Sequence, residues 1–163
     1  RMQTTTIEIS KEYLHFAAAH FTLFSDTDRE NLHGHNFQVT LDAEATIAAD
    51  GLTFDYNILK KALKHMCDDL DEQVIMPTQS PHLTIESDEH YTYVIFNGER
   101  IPFLDRDLTL LPIRNVTVEE LAHYLLETLL QREEIAALDI HQMVLRCASG
   151  EGQWASARWA CDA

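Results

Sequence analysis

In His33-Gly34-His35 two imidazoles are separated by a single residue. Side chains alternate along an extended strand, so both rings project from one face and can reach one ion. The glycine between them removes the side chain that would point the other way and lets backbone or ligand approach closely. The following residues, Phe37 to Ala45, alternate apolar and polar without a break, which predicts a strand. His33 and His35 share parity with the apolar set and are therefore expected on the inward face. His20 closes a second run, Leu14-His15-Phe16-Ala17-Ala18-Ala19-His20, which can deliver a third ring nitrogen to the same place. Three protein ligands and one open position is the arrangement of a catalytic zinc rather than a structural one. Spacing alone leaves a second reading open: these are three of nine histidines in the chain, and most histidines bind nothing.

The elements that must carry these residues follow from the pattern around them. Thr4 to Ile9 has the β-branched content of a strand, expected to continue through Phe16. Phe21 to Glu30 has no period and several polar residues, and is expected to be a loop. Ala48-Ala49-Asp50-Gly51 supplies a turn after the long strand. Asp55 is the expected N-cap of a helix from Tyr56 to about Leu70, whose Leu59, Leu63, Met66 and Leu70 recur at helical spacing. After Pro77 comes a segment with its own hairpin: Leu83-Thr84-Ile85, then Tyr91 to Phe96, a turn at Asn97-Gly98, and Arg100 to Phe103. It is expected to be a structural elaboration without chemistry. Thr117 with Glu120 forms a capping box for a second helix to about Leu130, with Leu121, Leu125 and Leu129 on one face. Ile140 to Arg146 and Gln153 to Trp159 are two further strands. Strands, helix, hairpin, helix, strands, with no alternating βαβ pattern, is an α+β order with a mainly antiparallel sheet.

At 163 residues, 45% hydrophobic and 24% charged, the chain suits one folded domain spanning 1–163. No apolar run approaches a membrane span, and the start, Arg1 to Thr6, lacks an apolar signal core. Cys67, Cys147 and Cys161 are an odd count without a pairing motif, which suits a reducing, cytoplasmic setting. A net charge of −15 argues against nucleic acid as a partner. It also means that any phosphorylated substrate must be held by local cations.

Several runs together carry a family resemblance. They are Phe16-Ala17-Ala18-Ala19-His20, Asn31-Leu32-His33-Gly34-His35-Asn36-Phe37, Phe54-Asp55-Tyr56 and Leu70-Asp71. Leu110 to Glu119 and Gly152-Gln153-Trp154-Ala155-Ser156 follow in the same order. The chain resembles the 6-pyruvoyltetrahydropterin synthase and 6-carboxytetrahydropterin synthase family over nearly its whole length. The resemblance implies the tunnelling fold, with an antiparallel sheet, two helices on one face, and an inserted hairpin at about 78–112. It implies that subunit sheets form a barrel, as a homohexamer of two trimers, with active sites between subunits. It makes His20, His33 and His35 the ligands of Zn2+.

In the best-known members of that family the base is a cysteine shortly before His-Gly-His, assisted by an Asp-His pair. Here Arg29 stands where that cysteine would be, followed by Glu30, and Glu72 takes the place of the histidine after Asp71. A branch of the family with a glutamate at the position of Glu30 cleaves the pterin side chain to 6-hydroxymethyl-7,8-dihydropterin. Glu30 is therefore the expected general base, the alternative being one acid in an acidic surface loop. Asp71 and Glu72 are expected as a carboxylate pair replacing the relay, or as a solvated helix end. Arg29 is a candidate phosphate contact. Thr117 and Glu119 match the family's element near the pterin pocket, while Ser149 falls where the pterin-anchoring glutamate would be, with Glu151 two residues away.

The reading that follows first is a zinc-dependent lyase acting on the side chain of 7,8-dihydroneopterin triphosphate or a related pterin, giving the hydroxymethyl product. The second is 6-carboxytetrahydropterin or 6-pyruvoyltetrahydropterin synthase activity with a rearranged proton relay. The third is a zinc-containing pterin- or purine-binding protein that has lost the standard activity.

Overall fold

The computed structural model describes residues 2–162. Its elements in chain order begin with β1 (Gln3–Ile9), β2 (His15–His20) and β3 (His33–Ile47), followed by α1 (Tyr56–Leu70) and β4 (Gln73–Pro77). Next come β5 (Thr84–Ser87), β6 (Thr92–Phe96), β7 (Glu99–Phe103) and β8 (Leu108–Leu111). The chain closes with α2 (Val118–Leu130), the short α3 (Glu133–Ala136), β9 (Gln142–Ala148) and β10 (Trp154–Ala160). The α+β class, the broad order and both main helices agree with the sequence pattern, which does not predict β4, β8 or α3.

The main sheet runs β10-β9-β3-β2-β4-β8, with β1 also on β3. The pairings of β3 are antiparallel, whereas β4 lies parallel to both β2 and β8. The fifteen-residue β3 is the spine, and its apolar parity is buried at Phe37, Val39, Leu41, Ala43 and Ala45. Both β1 and β2 pair with it end to end, but not as the single strand expected from Thr4 through Phe16. The registers Ile9↔Leu41 and His15↔Gln38 leave five residues, 10–14, opposite only Val39 and Thr40. The surplus bulges into a turn closed by the Leu14 amide on the Lys11 carbonyl at 3.0 Å, while Leu14 itself drops into the core at 1% exposure. Burying Leu14 overrides the simple alternation.

Helix α1 starts as expected: the Asp55 carboxylate accepts the Asn57 amide at 2.9 Å. Leu59, Leu63, Met66 and Leu70 are all buried. Thr117 caps α2 by accepting the Glu120 amide at 3.2 Å, yet the box is only half made. The Glu120 carboxylate accepts from the Arg114 amide (2.8 Å) and guanidinium (2.9 and 3.0 Å) instead, because a charge-assisted bidentate pair outcompetes one neutral backbone donor. The Arg114 guanidinium in turn holds the Glu120 carboxyl below its ordinary value. Helix α1 packs on β2 and α2 on β9 and β10, so one core lies between the sheet and its helical layer. Among the described residues, no helix is long and apolar enough to cross a membrane.

The segment after Pro77 folds as a three-stranded sheet, β5-β6-β7, rather than a hairpin alone, with Asn97 (φ 50°) and Gly98 (φ 78°) in the turn. Strand β8, within the expected 78–112, joins the main sheet beside β4. Val94 and Phe96 of the small sheet form a second core with Phe21, Leu23 and Met76. Phe21 and Leu23 belong to the loop that precedes Glu30. The small sheet thus buttresses that loop, a role that the pattern of its own residues did not reveal.

Candidate active site

The inward parity of β3 carries His33 and His35 to the same side as Phe37, and the antiparallel register sets His20 directly across from His33. One ring nitrogen from each of the three lies within 4.8 Å of the other two, a group able to hold a metal ion. The tautomers follow from the hydrogen bonds. His20 Nδ1 donates to the Val116 carbonyl at 2.9 Å and His33 Nδ1 to the Asn31 carbonyl at 2.7 Å, leaving Nε2 of each unprotonated and able to accept or to ligate. His33 Nε2 and His35 Nε2 are 3.0 Å apart. His20 is 5% exposed, and its Nε2 is buried with no hydrogen-bond partner among the described residues. A buried acceptor without a partner costs about 1–3 kcal/mol, and this one lies beside two more ring nitrogens, an arrangement that could hold a cation. Burial lowers the pKa of His20, helped by the charges of His33 and His35 and opposed by the Val116 carbonyl; burial and the His33 charge lower that of His35. Neutral imidazole is the ligating form.

Glu30 is the acid beside this group, with Oε2 4.0 Å from His33 Nε2. Its other oxygen, Oε1, accepts the Thr22 amide at 2.8 Å, and the Glu30 amide donates to the Thr22 carbonyl at 2.9 Å. Burial pushes the carboxyl up, but the hydrogen bonds from Thr22 and the charge of His33 and His20 outweigh it and hold Glu30 below its ordinary value. One carboxylate oxygen is thus anchored and the other faces the histidines. Arg29 is already engaged: its guanidinium lies 4.5 Å from the Phe21 ring centroid, 5.6 Å from that of Phe96, and donates to the Glu30 carbonyl at 2.7 Å.

Asp71 and Glu72 end α1, and their carboxylates do different things. Asp71 Oδ1 accepts the Ala17 amide at 2.8 Å. Glu72 takes a left-handed backbone (φ 59°), unusual for a residue with a side chain, and donates its amide to the Ala17 carbonyl at 2.7 Å. Glu72 and His35 line one cavity of about 530 Å³, together with Ala17, Ala19, Gly34 and Asn36. Thr117 follows directly on Val116, which holds His20, whereas Glu119 is exposed on the first turn of α2. Ser149 and Glu151 lie in the turn joining β9 and β10 and do not line that cavity.

Two contributors have contacts that the sequence does not signal, although Asn115 lies within the run Leu110 to Glu119 that carries the resemblance. Asn115 clamps the Glu30 loop, accepting the Leu23 amide at 3.1 Å and donating to the Leu23 carbonyl at 2.9 Å. His82 pairs through Nδ1 with Asp26 at the tip of the same loop at 2.5 Å. Polar residues that act across more than fifty positions leave no periodicity to read.

A mixed sheet with one helical face and three convergent histidines at the end of its spine defines a tunnelling-fold protein with a group able to hold a metal ion. The family of 6-pyruvoyl tetrahydropterin synthase matches residues 8–158, and the chain belongs to it, a family of pterin-synthase lyases. The 6-pyruvoyl tetrahydropterin synthase of Plasmodium vivax has the same fold, with a TM-score of 0.90 at 28% identity over 98% of this chain and 99% of that one. The Plasmodium falciparum enzyme is similar, with a TM-score of 0.89 at 28% identity over 97% of this chain and 99% of its own. A Methanocaldococcus jannaschii protein, provisionally named as a 6-carboxy-5,6,7,8-tetrahydropterin synthase, is 29% identical over 147 residues, 89% of this chain and 90% of that one. Further structures of the Plasmodium vivax enzyme carry alanine or cysteine in place of a glutamate described as a catalytic residue.

Proposed function

We propose that the protein is a zinc-dependent lyase that cleaves the side chain of 7,8-dihydroneopterin triphosphate, or a close relative, to 6-hydroxymethyl-7,8-dihydropterin. The observation that carries this reading is the Glu30 carboxylate oxygen 4.0 Å from His33 Nε2 in a loop without a cysteine. The catalytic glutamate of the Plasmodium vivax enzyme supports it, since that protein too uses a carboxylate. The buried, partnerless Nε2 of His20 supports a resident cation, and three nitrogen donors suit zinc. His20, His33 and His35 would hold it. When bound, zinc supplies Lewis acidity toward oxygens of the substrate side chain.

Glu30 takes the proton of a side-chain hydroxyl. The bond between the two hydroxyl-bearing carbons breaks as that hydroxyl becomes a carbonyl, and the electron pair passes to the carbon attached to the ring. A proton delivered to that carbon completes the hydroxymethyl group, and a phosphorylated two-carbon aldehyde leaves. Glu72, on the cavity it shares with His35, is the proposed source of that proton, with Asp71 holding the helix end that carries it. Arg29, Thr117, Glu119, Ser149 and Glu151 are the proposed substrate contacts, in a ring with sites between subunits.

The experiment is incubation of zinc-loaded protein with the triphosphate and identification of products by mass spectrometry. The hydroxymethyl product is expected. A 6-carboxy product would replace this reading with the second one, which the name of the Methanocaldococcus jannaschii relative favours. Saturable pterin binding without turnover would leave only a binding protein.

The proposed assembly is two stacked trimers. Edge strands β8 and β10 each have one neighbour in the chain and expose Leu110 (41%) and Trp154 (40%), surface that ring closure would cover. Light scattering at micromolar concentration is expected to give about six times the 18.7 kDa subunit mass; a monodisperse monomer would contradict it.

A further inference from the structure

The loop carrying Glu30 and the ring of His20 are joined through one side chain. Asn115 accepts the Leu23 amide (3.1 Å) and donates to the Leu23 carbonyl (2.9 Å), the two-way exchange that a neighbouring strand residue would make with its backbone. Its oxygen also accepts the Val116 amide at 3.1 Å. On one side of this clamp, the Val116 carbonyl holds His20 Nδ1 at 2.9 Å. On the other, Thr22 holds Glu30 by its amide and carbonyl at 2.8 and 2.9 Å. We propose that Asn115 is a positioning residue for the reaction, setting the Glu30 carboxylate against the His20 ring by gripping both backbone groups of Leu23. The proposal rests on Glu30 being the base, as inferred above.

The chemistry of the side chain makes asparagine specific here. A carboxamide presents one donor and one acceptor in a plane, as a peptide group does. Aspartate would keep the acceptor but turn a second oxygen toward the Leu23 carbonyl. Alanine would free both Leu23 groups. In either case Phe21 and Leu23 stay anchored in the second core, so the loop remains folded while its aim loosens.

The test is a double-mutant cycle on the zinc-loaded protein. Asn115→Ala is expected to lower kcat by up to about 100-fold, the cost of a misplacement near 1 Å, with KM and zinc content nearly unchanged. Hydrogen exchange at the Leu23 amide is expected to quicken. In a Glu30→Gln background the same change is expected to cost nothing further, because Asn115 acts through Glu30. An unchanged kcat, or an equal loss in both backgrounds, would overturn the proposal. If the wild-type protein turns over no pterin, the functional reading fails with it. Unaltered exchange at Leu23 in Asn115→Ala would instead refute the clamp itself, whatever the reaction.

Discussion

Glu30→Gln is expected to lower kcat by about 10²- to 10⁴-fold, the range that a positioned general base contributes. Glutamine is close to isosteric and keeps an oxygen to accept the Thr22 amide, so the anchored half of the side chain persists. What it loses is the second oxygen, the one 4.0 Å from His33 Nε2, as a proton acceptor. Zinc content and KM are expected to stay near the wild-type values, which separates loss of the base from loss of the metal. Single-turnover formation of the hydroxymethyl product, quantified by mass spectrometry, is the measurement. Undiminished turnover would move the role to another acid, and Glu72, on the cavity shared with His35, would be the next to replace.

The second large effect is on the metal. His33→Ala is expected to bring zinc, after dialysis against a weak chelator, from one per chain to below about a tenth, because two imidazoles cannot complete a site that needs three. Activity is expected to go with it. Stability gives an independent readout: a ligand that binds only the folded state stabilises it by about 4 kcal/mol when its free concentration is a thousandfold above Kd. Zinc should therefore raise the Tm of the wild-type protein and leave that of His33→Ala where it was. Equal metal content and equal zinc-induced shifts in both proteins would remove His33 from the site. The orphaned Nε2 of His20 gives the expectation its physical basis, since a nitrogen buried without a partner destabilises the fold unless something binds there.

The histidine site was legible in the sequence because strand periodicity is strict: parity alone set His33 and His35 beside Phe37, and the apolar run ending at His20 brought the third ring. The helices were legible for a similar reason, with Asp55 and Thr117 doing as caps what their side-chain oxygens favour. The break between β1 and β2 was not, because five residues opposite two keep the strand composition on both sides. The partner of Glu120 was not, because Arg114 lies on the wrong side of the cap to enter the usual four-residue pattern. Neither was the employment of Arg29, whose place over Phe21 and Phe96 depends on a small sheet more than fifty residues away in the chain. The convergence of the three histidines was thus written in local pattern. The setting of the base was written in contacts such as Asn115 to Leu23, which only the fold brings together.

Along β3, the two imidazoles and the hydrophobic core are one alternating series, from His33 and His35 through Phe37, Val39 and Leu41 to Ala45. A slip of one position against β2 or β9 would turn the imidazoles outward together with every one of those apolar side chains. Each large one is worth roughly 1.5–3 kcal/mol when buried. A pairing shifted by one position therefore forfeits the core, and the two imidazoles turn outward only together with it. Hydrophobic burial thus proofreads which way the imidazoles face, because the pairing that keeps Phe37 and Leu41 inward keeps His33 and His35 on the same side.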